Sequence, residues 1–172
     1  MLMWPVAFAL VFAAVYCDVH KDEKGAPRMV VPNWLNLAGL SAGIILHAFA
    51  GDLRFSLVGL AWGLGIGVLF YFFGMGGGDA KLLTALGSII GAESVYLTAV
   101  ASAALFVLFY LPLRLRREGI RGFWEREKAS LMTFFITKKV VSMAAERQRV
   151  PFAPFVAAGA AVAFVWEVIK GV

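Results

Sequence analysis

Charge is scarce in this chain. Of its 172 residues only 16% are Asp, Glu, Lys or Arg, where a soluble domain carries about 25%. Cysteine is scarcer still. A single Cys17 excludes an internal disulfide and any cysteine-based zinc site, and it reads as a small apolar residue at a helix end rather than as a reactive thiol. Histidine is limited to His20, in a polar loop, and His47, in an apolar stretch. Neither has an evident partner, so the sequence offers no Ser–His, Cys–His or metal constellation. The opening Met1-Leu2-Met3-Trp4 has no Lys or Arg, and no small-x-small cleavage site follows. The first apolar run is therefore read as a retained span and not as a signal peptide. Tyr16, bulky and just before Cys17, argues against lipid attachment there.

Apolar residues fill the remaining space, at 61% of the chain. They come in runs of roughly 17–20 residues, which suits α-helical spans and not the alternating strands of an outer-membrane barrel. The expected fold is an all-α membrane protein, a polytopic bundle of about six transmembrane helices. The expected spans are 1–17, 34–50, 53–73, 80–90, 95–113 and 151–169, in one domain covering 1–172. Pro32 fixes an extended approach to the second span, and Asn33 is a candidate N-cap. Gly39 and Gly43, and then Gly59, Gly63 and Gly67, recur every four residues, a pattern that lets helices approach closely in lipid. The fourth span is short and must tilt, thin the bilayer or be sheltered by neighbours. Gly91-Ala92-Glu93-Ser94 reads as a turn. In the segment 114–149, Ile120, Phe123, Trp124, Leu131 and Phe135 fall at roughly helical spacing between charges, which suggests an amphipathic helix on the membrane surface.

The basic residues are placed unevenly. Lys21, Lys24 and Arg28 lie in the first loop and Lys81 follows the glycine-rich loop. Arg114, Arg116, Arg117, Arg121, Arg126, Lys128, Lys138, Lys139, Arg147 and Arg149 fill the long segment. Only Arg54 and Lys170 fall on the other side. The positive-inside rule then puts both termini outside and the three basic loops in the cytoplasm. This placement accounts for the net charge of +5 without a nucleic-acid partner.

Gly74-Met75-Gly76-Gly77-Gly78-Asp79-Ala80-Lys81 interrupts two apolar runs. A carboxylate near lipid depth is costly and marks a functional site by default. The competing reading is a glycine-rich turn capped by Asp79 at a helix N-terminus. Asp18 ends the first span, and two spans separate it from Asp79, so the expected topology puts both acids on one side. At about 4 Å and an effective dielectric of about 20, two carboxylates repel by about 4 kcal/mol. Such a pair shares a proton. The ionised partner takes a proton from water attacking a peptide carbonyl, and the protonated partner donates to the carbonyl oxygen. No metal or cofactor is required. Asp22, Glu23 and Asp52 read as solvated loop acids, and Glu93 should lie on the outer side. Lys81 should point away from Asp79, toward the interface or a lipid phosphate.

These motifs resemble the type IV prepilin peptidases, membrane aspartyl proteases of the Gly-x-Gly-Asp class. The resemblance rests on Gly76-Gly77-Gly78-Asp79-Ala80-Lys81-Leu82-Leu83 with Gly87, on Asp18 followed by Val31-Pro32-Asn33-Trp34-Leu35, and on Val150-Pro151-Phe152-Ala153-Pro154-Phe155. It implies catalytic roles for Asp18 and Asp79 and supporting roles for Gly76, Gly78, Lys81, Pro32 and Asn33. It also implies a bacterial inner-membrane enzyme that removes a short basic leader from prepilins or pseudopilins at the cytoplasmic face. Longer members carry an N-terminal region with paired cysteines and also N-methylate the new pilin end. The lone Cys17 therefore points to a small Tad/Flp-type peptidase without methyltransferase activity. The loop from Asp18 to Pro32 is longer than the family's compact form, which keeps Asp22 as the alternative first acid. Three other readings remain open: a related protease acting on preflagellin or other signal peptides, a non-enzymatic pilus-assembly subunit with both acids as caps, and a proton-relay transporter. Oligomeric state is not legible.

Overall fold

The computed structural model describes residues 3–20, 31–72, 77–137 and 152–171. Almost all of those residues are helical, as α1 (Met3–Val19), α2 (Asn33–Phe49), α3 (Leu53–Phe72), α4 (Gly77–Thr137) and α5 (Ala153–Lys170), with a tight turn between α2 and α3. Three stretches are long and apolar enough to cross a membrane: Leu53–Tyr71, Gly77–Tyr110 and Ala153–Lys170. Met3–Val19 is a shorter apolar helix. Large apolar side chains such as Phe12, Trp34, Phe49, Trp62 and Ile169 face outward, as lipid-facing positions of a membrane protein do.

α4 is too long for one crossing. Gly77–Tyr110 alone holds 34 residues, where a span needs about 20. The chain turns back at Gly91, whose φ of 81° and ψ of 179° glycine adopts without steric cost. The contacts show the reversal. Before it, Asn36 meets Gly78 and His47 meets Ile89, so α2 and the limb 77–90 run the same way. After it, Ser94 meets Glu167, while Phe106 packs on Phe152 and Phe155. The limb after Gly91 thus returns antiparallel to α5. Only Gly91 departs from helical geometry; Ala92, Glu93 and Ser94, expected in a turn, already belong to the returning helix.

The limb 77–90 is the centre of the bundle. Residues 82–90 are all buried, which an apolar helix tolerates only when it is covered all round. Leu82, Leu83, Leu86 and Ile89 are among the largest fully buried side chains. About 14 residues rise only about 21 Å, short of a bilayer core of about 30 Å, so this limb is sheltered by its neighbours. α3 covers one side through its glycine face: Gly59 lies on Gly87, Gly63 on Leu83 and Gly67 on Ala80. A Cβ on Gly59 would collide with the Gly87 carbonyl oxygen. α2 covers another side with Gly43 against Ser88, and α1 fits Leu10 against Gly39.

Several expected boundaries shift. Asp18 lies inside the last turn of α1 instead of following it. Asn33 is not a cap: Pro32 holds the N-cap position, no side chain caps α2, and Asn33 is its first helical residue. The helix expected to end at Leu113 passes Pro112 and continues to Thr137, with one break at Gly119. Helical geometry thus covers 120–137 of the basic segment, and the exposed Arg116 and Glu125 fit a polar surface. Residues 138–151 and the expected site residues Asp22 and Gly76 lie outside the described residues.

Candidate active site

The site forms where α1 ends and α4 and α5 begin. Asp18 comes from the last turn of α1 and is 3% exposed. A carboxylate is poorly placed there, because the helix dipole is negative at its C-terminus. α5 supplies the compensation: the backbone N–H of Ala153, its first residue, donates to Asp18 Oδ2 at 3.3 Å. Chain segments 135 residues apart are joined by this one bond.

Asp79 lies in the first turn of α4 and is 9% exposed. The helix begins at Gly77, so Asp79 is within it and is not its N-cap. Among the described residues Asp79 Oδ1 has no hydrogen-bond partner. The two carboxylates are close enough to act on each other electrostatically. Asp18 and Asp79 thus lie at one end of the bundle, both largely withdrawn from solvent and within electrostatic range.

The supporting residues surround this pair. A Cβ on Gly78 would stand 3.4 Å from the backbone and side chain of Val31, so the segment before Pro32 packs closely on the Gly78–Asp79 turn. Lys81 is exposed and donates to Asn33 Oδ1 at 2.8 Å. It ties the start of α2 to the start of α4, where a lipid phosphate or the open interface had been expected as its destination. The sequence had left His47 without a partner, but its Nε2 lies 3.0 Å from the Ile89 carbonyl oxygen and its ring packs on Phe55. It is a core histidine at the opposite end. His20 stacks on Tyr16. Among the described residues no cluster of His, Cys, Asp or Glu fits a metal ion.

Two residues at this end were missed. Asn36 is 5% exposed, and its Nδ2 donates to the Gly78 carbonyl oxygen at 3.3 Å. The available signal was an amide one helical turn after Asn33 inside an apolar span. Ala153 contributes only its backbone, which no side-chain pattern reports.

The fold and site together define a class: an α-helical membrane protein that holds two interacting buried acids at one end. The particular family follows from comparison with known proteins. A family model described as the type IV leader peptidase family matches residues 5–111, more than half of the chain. The chain belongs to that family, and it is a peptidase of the leader-peptidase kind. Searches of the curated proteins and of the solved structures gave no match.

Proposed function

We propose that this chain is an aspartyl endopeptidase that removes the short basic leader from Flp/Tad-like prepilins, with Asp18 and Asp79 as its catalytic dyad. The observation that carries the reading is the meeting of these two acids. They come from distant helices, are both buried, and lie within electrostatic range. An N-cap role explains neither: Asp18 stands at the unfavourable end of its helix, and Asp79 is past the N-cap position. The helix dipole favours a carboxylate at Asp79, but its Oδ1 has no partner among the described residues. In the proposed reaction one carboxylate takes a proton from water as the water oxygen attacks the scissile carbonyl carbon. The other, protonated, donates to the carbonyl oxygen. The tetrahedral intermediate then collapses, the C–N bond breaks, and the leaving amine takes a proton from the dyad.

In the membrane arrangement we propose, the chain crosses about six times, with α4 contributing two spans about Gly91. The uneven Lys and Arg distribution supports a cytoplasmic face at the dyad end and both termini outside. Such a site lies at the depth where a prepilin's leader meets its hydrophobic helix, in the inner membrane. No metal or cofactor takes part, and the product keeps an unmethylated N-terminus. The test is the purified chain in lipid nanodiscs with a Flp-type prepilin, read by intact mass. The expected product is the pilin without its leader and without an added methyl. A precursor that stays intact with inserted, folded enzyme would sink the proposal, and cleavage of preflagellin but not of prepilin would replace the substrate.

A further inference from the structure

α2 grips the central limb of α4 at two points. At one end His47 bonds the Ile89 carbonyl oxygen, and at the other Asn36 bonds the Gly78 carbonyl oxygen. A carbonyl oxygen has two lone pairs, so a helical residue accepts such a donor without leaving its helix. As far as these bonds go, both residues are interhelical clamps. What separates them is their surroundings. Gly78 immediately precedes Asp79, and the Gly78 carbonyl belongs to the peptide unit that joins the two. Asn36 Oδ1 is buried and, like Asp79 Oδ1, has no hydrogen-bond partner among the described residues. Flipping the amide does not help. It would turn Asn36 Oδ1 onto the Gly78 carbonyl and place two acceptors face to face. A buried acceptor left unpaired costs more than a lone interhelical hydrogen bond gains in lipid.

We infer that Asn36 is a positioning residue of the peptidase: its amide group holds the Gly78–Asp79 peptide and so sets the direction in which the Asp79 side chain leaves the helix. The inference rests on the proteolytic reading proposed above. Glycines at 77 and 78 make the constraint necessary, because they leave this turn without side chains of its own to fix it. Asn36 lies on the buried stripe of α2 with Leu35, Gly39, Gly43 and His47, so its position is set by helix packing and transmitted to the peptide through one hydrogen bond.

Two variants separate positioning from packing. Asn36→Leu keeps the branched shape, in a larger side chain, and removes the donor. Asn36→Ser loses volume and keeps a hydroxyl that can donate. Positioning predicts that kcat falls on the order of 10- to 100-fold in Asn36→Leu, with KM for a Flp-type prepilin within about twofold, and that Asn36→Ser retains more activity than Asn36→Leu. A packing role gives Asn36→Ser no advantage, because overpacking and a cavity both destabilise. The second readout needs no substrate. Dicyclohexylcarbodiimide adds to protonated carboxyls in apolar surroundings, and its adduct at Asp79 is followed by peptide mass in wild type and both variants. Adduct formation should change severalfold in Asn36→Leu and less in Asn36→Ser. An Asn36→Leu enzyme at least as active as Asn36→Ser, a loss carried by KM, or an unchanged Asp79 adduct rate overturns the inference. If wild type leaves prepilin uncut, the proposed function fails, and the adduct rates still decide whether Asn36 directs Asp79.

Discussion

The two ends of the bundle treat their acids differently. At the end far from the dyad, Glu167 takes hydrogen bonds from Trp4 Nε1, at 2.6 Å, and from the Ser94 hydroxyl. It thereby joins α5 to α1 and to the returning limb of α4. Glu93 pairs with Lys170 at 2.5 Å. At the dyad end, among the described residues, Asp18 accepts a single backbone N–H and Asp79 Oδ1 has no partner. Acids whose bonds are met tie helices together. An open oxygen such as Asp79 Oδ1, unpartnered among the described residues, is what the proposed reaction with a water and a peptide needs. The comparison gives the far end a structural role, and the proposed chemistry belongs to the other end.

Breaking the dyad should give the largest effect. Asp18→Asn or Asp79→Asn alone should lower cleavage by at least about 100-fold, while a membrane blot shows the protein inserted as before. The glycine face of α3 sharpens the comparison, because it runs past both ends. Gly59→Ala drives a methyl into the Gly87 carbonyl, and Gly67→Ala drives one toward the Ala80 carbonyl beside Asp79. Each should destabilise by about 1–3 kcal/mol in detergent unfolding, but only Gly67→Ala should also reduce cleavage per folded molecule. Gly65→Ala, with no atom near the added methyl, should do neither. Glu167→Ala removes two interhelical bonds and should cost about 1–2 kcal/mol with cleavage per folded molecule intact. Lys170→Ala breaks a pair that is exposed on both sides, and should change stability by no more than about 1 kcal/mol.

Much of this was legible in the sequence for identifiable reasons. Apolar helices follow from run lengths, three of them long enough to cross a membrane. Gly59, Gly63 and Gly67 announced a packing face because a four-residue repeat keeps small residues on one side of a helix. That Asp18 and Asp79 lie at the same end of the bundle was expected from parity, two helices intervening between them. What escaped was whatever depends on a partner that is remote or belongs to the backbone. The sequence did not show that Lys81 would bond Asn33, that Asn36 would reach the Gly78 carbonyl, or that Ala153 would supply an N–H to Asp18. Glu167 was overlooked among the acids because its partners, Trp4 and Ser94, lie 163 and 73 residues away. The helix also ran past Leu113 because neither Pro112 nor a change from apolar to charged residues stopped it.

The most direct test places all four acids in one panel. Asp18→Asn, Asp79→Asn, Glu93→Gln and Glu167→Gln are each co-expressed with a Flp-type prepilin, and the pilin's size is read on a gel beside a blot for enzyme in the membrane. The two aspartate variants should leave only precursor, and the two glutamate variants should process it as wild type does. Mature pilin from inserted Asp18→Asn or Asp79→Asn would contradict the division of the bundle into a catalytic end and a structural one.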